Sequence, residues 1–252
     1  MPSQQSMRRN VDTKVREVDT KVREVDTKVR EVDTKVREVD TKVREVDTKV
    51  REVDTGLVHT CEMIWWPTEV PTLTHGLITL RAPNETDIPQ LFEGAQDPII
   101  PVFTRIPSNY SMANAEFYVR ERSPNTFANQ TELQLAVQYG NGDDAKFAGA
   151  FSFHSMDLRE HVAEIGYWLT APMRGKGIGV TATKLLTQFG FESIGFERIE
   201  AVVNVENISS RKLLETSGYI LEGIMRKKSR KEDGSQIDMV LYSAIRDEWN
   251  WN

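Results

Sequence analysis

Residues Glu164-Ile165-Gly166-Tyr167-Trp168-Leu169-Thr170-Ala171-Pro172-Met173-Arg174-Gly175-Lys176-Gly177-Ile178-Gly179 decide how this chain is read. The apolar, aromatic run is a strand, and it stops before Pro172, which has no N–H to give to a sheet ladder. A basic, glycine-dense turn follows and opens a helix. Gly175, Gly177 and Gly179 bear no side chain, and Arg174 and Lys176 bring two cations to the place where a helix start exposes its unpaired N–H groups. Together they form a cradle for an anion such as a pyrophosphate.

Spacing narrows the ligand. A Walker A loop needs G-x-x-x-x-G-K-[ST], and Gly175-Lys176 is followed by Gly177, with no hydroxyl for magnesium. A dinucleotide fingerprint is nearer, since Gly175-x-Gly177-x-Gly179 precedes a helix and Glu200 lies on the next strand. That fingerprint, however, places G-x-G-x-x-G directly after the first strand of its unit, whereas Thr170 to Met173 intervene here. A glycine turn that merely joins strand to helix remains open on these residues alone.

Arg174-x-x-Gly177-x-Gly179 fits the Q/R-x-x-G-x-G/A signature of the GNAT family of N-acetyltransferases, whose loop binds the pyrophosphate of acetyl-CoA. Three other blocks keep the same order: Ala163 to Leu169 before the loop, Asn207-Ile208-Ser209-Ser210-Arg211 after it, and Glu215 to Gly223 beyond. The chain thereby resembles the ribosomal-protein N-terminal acetyltransferases of the RimJ/RimL type, from Gly76 to Trp249.

The resemblance implies an α/β (α+β) fold with a mixed, mostly antiparallel sheet flanked by helices. It implies acetyl-CoA as co-substrate and no metal. Arg174, Gly175, Lys176, Gly177, Ile178 and Gly179 would hold the pyrophosphate, Asn207 the cofactor arm, and the backbone near Trp168 and Leu169 the thioester and its oxyanion. Glu164 would take the amine proton, commonly through water, its alternative being an exposed strand carboxylate. Many relatives place a thiolate-protonating tyrosine seven residues after the asparagine; this chain has Leu214 there. The RimJ/RimL pattern instead offers Ser210 to the sulfur, and Asn207 and Ser210 would in any case cap the following helix. The implied acceptor is a protein N-terminal α-amine, with polyamines and aminoglycosides as alternatives. It would lie in a groove between the two N-terminal helices and the Ile224 to Met239 hairpin, near Arg105, Tyr110 and His154. A reading from another class is an acyl-CoA-binding module without catalysis, oligomerised by the N-terminal repeat.

That repeat is unlike the rest. Val-Asp-Thr-Lys-Val-Arg-Glu occurs six times without change from Val11 to Glu52, and Val53-Asp54-Thr55 begin a seventh copy. The valines alternate four and three residues apart, as at d and a of a coiled coil, and Lys14 and Asp19 fall at g and e of a parallel dimer. A strand is excluded, because an odd period flips its face at every copy. A charged fluctuating tail is the alternative. Residues 1–55 are thus read as a heptad segment, 56–75 as a linker and 76–250 as the acetyltransferase domain, with Met63 as a plausible true start.

The chain's 252 residues are 39% hydrophobic, enough for one domain with a sizeable core. The repeats balance their own charges, so the net charge of −6 belongs mainly to the remainder. That sign argues against general nucleic-acid binding, and Arg226, Lys227, Lys228, Arg230 and Lys231 read as a solvated hairpin. Cys61 is the only cysteine, which excludes a disulfide framework and a thiolate metal site and fits a reducing cytoplasm. No apolar run approaches the ~20 residues of a membrane span, and His59, His75, His154 and His161 lack metal-ligand spacing.

Further elements follow from pattern. Leu77 to Arg81 is a strand after a polar lead-in, Asn84 caps a helix through Phe92, and Ser111 caps another bearing Ala115, Phe117 and Tyr118. Leu133–Val137 and Lys146–Phe153 flank the turn Gly140 to Asp143. Val162–Leu169 is the next strand and the helix runs from Ile178 to Phe191. Arg198–Val203 is a strand parallel to its predecessor, Ser209–Ser217 a short helix, and Tyr219–Met225 pairs with Ile237–Ala244.

Overall fold

The strand Val162–Leu169 has the bounds its alternation and Pro172 predict. In the computed structural model, which describes residues 64–251 except Glu232, and also Lys28, Lys35, Thr41 and Lys42, it lies inside an eight-stranded sheet. The chain divides into two units, Met1–Cys61 and Glu62–Asn252, and the sheet belongs to the second. The heptad coiled coil, the start at Met63, Cys61 and His59 lie outside the described residues. Lys28, Lys35, Thr41 and Lys42 are helical and exposed.

In chain order the elements are β1 (Leu73–His75), β2 (Ile78–Arg81), α1 (Ile88–Ala95), α2 (Ile100–Phe103), α3 (Met112–Phe117), α4 (Ser123–Ala128), β3 (Leu133–Tyr139), β4 (Lys146–Asp157), β5 (Val162–Leu169), α5 (Ile178–Phe189), β6 (Arg198–Asn204), α6 (Ile208–Thr216), β7 (Ile220–Arg230) and β8 (Gln236–Ile245). The sheet order is β1-β2-β3-β4-β5-β6-β8-β7. Every pair is antiparallel except β5 with β6, which the α5 crossover makes parallel. That parallel pairing is short, joining only Val162–Glu164 to Arg198–Glu200. Beyond it β5 continues along β4 to Leu169, while β6 continues along β8 to Asn204. The two strands therefore part like a wedge whose apex is Glu164.

Alternation along β5 distributes its side chains between two layers. Ala163 and Ile165 join the main core with Ile178, Ala182 and Leu186, which recur every four residues on one side of α5. Trp168 joins a smaller cluster on the opposite face, built from Ile88, Leu91, Ala115, Val119, Ala136 and Phe147. Asn84 and Ser111 are N-caps as expected, each in a reciprocal capping box.

Several elements depart from expectation. The polar lead-in before Gly76 contains β1, which turns into β2 through Gly76 at φ +58°. Ile64, Trp66, Val70 and Leu73, from the stretch expected to be a linker, pack on the main core. Trp65 N–H donates to the Ile194 carbonyl at 2.8 Å, and Trp66 Nε1 to that of Phe127 at 3.1 Å. Helix α5 gives way to a π turn at Gly190–Ile194, and β7 and β8 extend further than their apolar residues indicate. The five cations of that hairpin are exposed, as expected.

Candidate active site

The turn after β5 begins with a 3-10 turn at Ala171–Met173, in which Pro172 takes an early position that needs no N–H donor. Gly175 and Gly177 follow with φ of +72° and +78°, and a Cβ on either would meet nothing within 4 Å. Their lack of a side chain answers to backbone angle and to open space in front of the turn. Gly177 is the N-cap of α5 and supplies no side-chain cap. The first helical bond runs from Thr181 N–H to the Gly177 carbonyl at 3.1 Å, so the N–H groups of Ile178, Gly179 and Val180 precede the ladder. Gly179 has a different reason: its Cβ would lie 2.5 Å from Leu213 Cδ1, so it lets α6 pack against α5.

The two cations also differ. Arg174 Nη1 pairs with Asp97 Oδ2 at 2.7 Å and its Nε donates to the Leu169 carbonyl at 3.0 Å. It braces the turn against the strand end and the segment after α1. The Ile99 N–H and then Arg174 hold the Asp97 carboxyl below its usual range, against the opposing effect of partial burial. Lys176 is exposed on the turn. Trp168 presents its ring to Phe147 at 6.0 Å between centroids, and a Cβ on Gly94 would come within 2.9 Å of that ring. Its side chain thus seats α1, and its own peptide groups are turned to β4 rather than to the wedge. Thr170 N–H donates to the Ala148 carbonyl on β4, so alternation turns the peptide groups of Leu169 and Tyr167 to the side from which β6 departs.

Glu164 stands at the apex, half-buried, with its side chain 18% exposed. Burial raises its pKa; Arg105, Lys228 and the Val202 N–H pull it back, while Glu200 adds to the rise. His154, its cross-strand neighbour on β4, approaches with Nδ1 4.0 Å from Oε2. Burial first and Arg105 second push the His154 pKa down, so its imidazole is neutral at neutral pH. Across the wedge, Asn207 caps α6 by accepting from the Ser210 N–H at 3.1 Å. Ser210 Oγ lies 2.7 Å from the Tyr167 hydroxyl. Leu214 is fully buried in the main core.

The profile of the acetyltransferase (GNAT) domain family matches residues 78–220. The chain belongs to this family. The N-acetyltransferase YdaF of Bacillus subtilis (strain 168) is 34% identical over 106 residues, 42% of this chain and 57% of its own length. The ribosomal-protein-serine acetyltransferase of Escherichia coli (strain K12) is 31% identical over 99 residues, 39% of this chain and 55% of its own. The matched part thus spans little more than half of these relatives. Among solved structures, the microcin C7 self-immunity acetyltransferase MccE, in complex with acetyl-CoA and AMP, superposes with a TM-score of 0.61 at 26% identity, covering 68% of this chain and 93% of that one. The expected mixed, mostly antiparallel architecture is the fold observed.

Two features of this GNAT domain suit a ligand with phosphate at one end and amides along its arm: the open cradle before Gly175 and Gly177, and Asn204. Asn204 ends β6, is buried, accepts from Glu206 N–H at 2.9 Å, and keeps a buried Nδ2 without a partner among the described residues. On the Glu164 face, the expected acceptor residues are met by others that sequence reading missed. Tyr118 donates to Gln134 Oε1 at 3.1 Å, Gln134 donates to Glu132 at 2.7 Å, and Arg122 pairs with Glu132 at 3.1 Å. A π turn at Tyr118–Arg122 joins α3 to α4, and Tyr118, three residues after the buried Ala115, lies on the same inward side. Tyr110 is half-buried against the same cluster, and Arg105 is exposed. Among the described residues, no three His, Cys, Asp or Glu side chains gather as metal ligands do, and no helix is long and apolar enough to cross a membrane.

Proposed function

We propose that this GNAT domain is an acetyl-CoA-dependent N-acetyltransferase whose acceptor is a primary amine, foremost the α-amine of a protein N-terminus. The observation that carries the reading is the wedge between β5 and β6, with Glu164 at its apex and the glycine turn at its mouth. The acetyl-CoA held by MccE supports the donor, and similarity to a ribosomal-protein-serine acetyltransferase supports the acceptor.

The bound thioester supplies an activated acetyl group. The N–H groups of Ile178 and Gly179, with Gly175, Lys176 and Gly177, receive the pyrophosphate, and Arg174 keeps the turn in shape. Asn207 borders the cofactor arm, and the main chain near Trp168 and Leu169 borders the thioester, where the Leu169 and Tyr167 N–H groups, turned to the β6 side, meet the oxyanion; the Trp168 N–H is turned to β4 instead. Glu164 takes the amine proton through water; a raised pKa makes its carboxylate a better base near neutrality. Ser210 donates a hydrogen bond to the departing sulfur. The setting is a reducing cytoplasm, and the 11–55 repeat serves self-association without a share in the chemistry.

The deciding experiment is thiol release from acetyl-CoA across a panel of peptides with free N-termini, polyamines and aminoglycosides. Release with peptides above small amines is expected. Release only with small amines would move the acceptor to that class. CoA binding without release from any amine would leave an acyl-CoA-binding module.

A further inference from the structure

We propose that Tyr167 is a positioning residue that aims the Ser210 hydroxyl at the departing sulfur, so that a strand residue compensates for the leucine at position 214. The inference rests on the role given to Ser210 above. The pair forms across 43 residues of sequence, between β5 and the first turn of α6.

Either hydroxyl could donate across this contact, and its surroundings favour the phenol. The Tyr167 hydroxyl is 2.7 Å from Ser210 Oγ and 3.5 Å from the Ser210 carbonyl. If the serine donated to the phenol, the phenol's own hydrogen would be left with a carbonyl too distant for a sound O–H···O bond. If the phenol donates, its hydrogen lies on Oγ and the single serine hydrogen is released toward the wedge. A phenol is also the more acidic hydroxyl and the better donor. Both partners are held from behind: the Tyr167 ring stacks on Phe151 at 5.1 Å and 20°, and Asn207 anchors the Ser210 N–H. Burial, foremost, pushes the Tyr167 pKa up, so the phenol keeps its proton.

In the chemical step a C–N bond forms, the C–S bond breaks, and its electron pair goes to sulfur. The amine proton passes through water to Glu164. Ser210 donates a hydrogen bond to the sulfur, and neither hydroxyl loses its proton. Tyr167 acts one bond further out, by removing the orientations in which Ser210 would point away.

The test is a double-mutant cycle on the full chain, measuring kcat and the KM for acetyl-CoA. Ser210→Ala is expected to lower kcat about a hundredfold and Tyr167→Phe roughly tenfold, each with KM near that of the parent. Tyr167→Phe added to Ser210→Ala should lower kcat no further, because the phenol then has no hydroxyl to aim. Ser210→Thr, which keeps a hydroxyl, should keep the sensitivity to Tyr167→Phe. Additive losses, or an unchanged kcat in Tyr167→Phe, would overturn the role of Tyr167. An unchanged kcat in Ser210→Ala would instead overturn the role of Ser210, and the two failures are distinct.

Discussion

A half-buried carboxylate such as Glu164 gives up its proton later than one in water, because burial costs its charge more than Arg105 and Lys228 return. The base form is the ionised one. Turnover should therefore rise with pH through a limb above the ordinary carboxylate range. Glu164→Gln should remove that limb and lower kcat about a hundredfold or more while acetyl-CoA affinity stays; an unchanged rate would return Glu164 to a structural carboxylate. His154 contributes no charge to this limb near neutrality, since its own pKa is pushed down. Glu164 and Ser210 were singled out in the sequence because each occupies a fixed place in one of the ordered blocks around the glycine turn. Tyr167 was not: its partner lies 43 residues away, and its own motif is satisfied by any aromatic residue that packs.

The glycine turn separates two kinds of requirement within a single helix start. Gly177→Ala places a Cβ in open space but on left-handed backbone, at a cost of about 1–2 kcal/mol. Its effect should show in the KM for acetyl-CoA more than in the core. Gly179→Ala meets Leu213 instead, so Tm should fall, with partial recovery in the double variant Gly179→Ala/Leu213→Ala; recovery equal in both glycine variants would refute the distinction. Sequence reading gave all three glycines one task, because spacing records where a side chain is missing and not what would collide with it. It placed β5 and the α5 start correctly, where alternation and Pro172 speak together. It missed β1, since three residues are too few to display a period. At the far end of the sheet, Arg198 first and Ser243 second hold the Glu222 carboxyl down to about 2. The depressed value means that its contribution is present above the unfolded value of 4.5 and is lost as pH falls toward about 2. Because Glu222 is exposed, Glu222→Gln should cost under about 1 kcal/mol near neutrality in low salt, and progressively less as pH falls toward about 2.

At the scale of the whole molecule, the boundary of the folded unit falls before the position that composition indicates. Removal of residues 1–62 should leave acetyl transfer intact and reduce any self-association measured by sedimentation. Removal of residues 1–75 takes away Trp66, Val70 and Leu73 from the core, and should cost about 3 kcal/mol or more; equal Tm values for the two truncations would contradict this boundary. Between β5 and β6, meanwhile, two half-sheets meet through three residue pairs. Mechanically this is a seam with few stitches, and whatever chain-like ligand lies along it adds stitches of its own. Occupancy of the wedge and cohesion of the halves are then linked quantities. Hydrogen exchange at Tyr167 and Leu169 should slow with rising acetyl-CoA concentration in step with Tm, so that the donor is at once a reactant and the fastening of the sheet it enters.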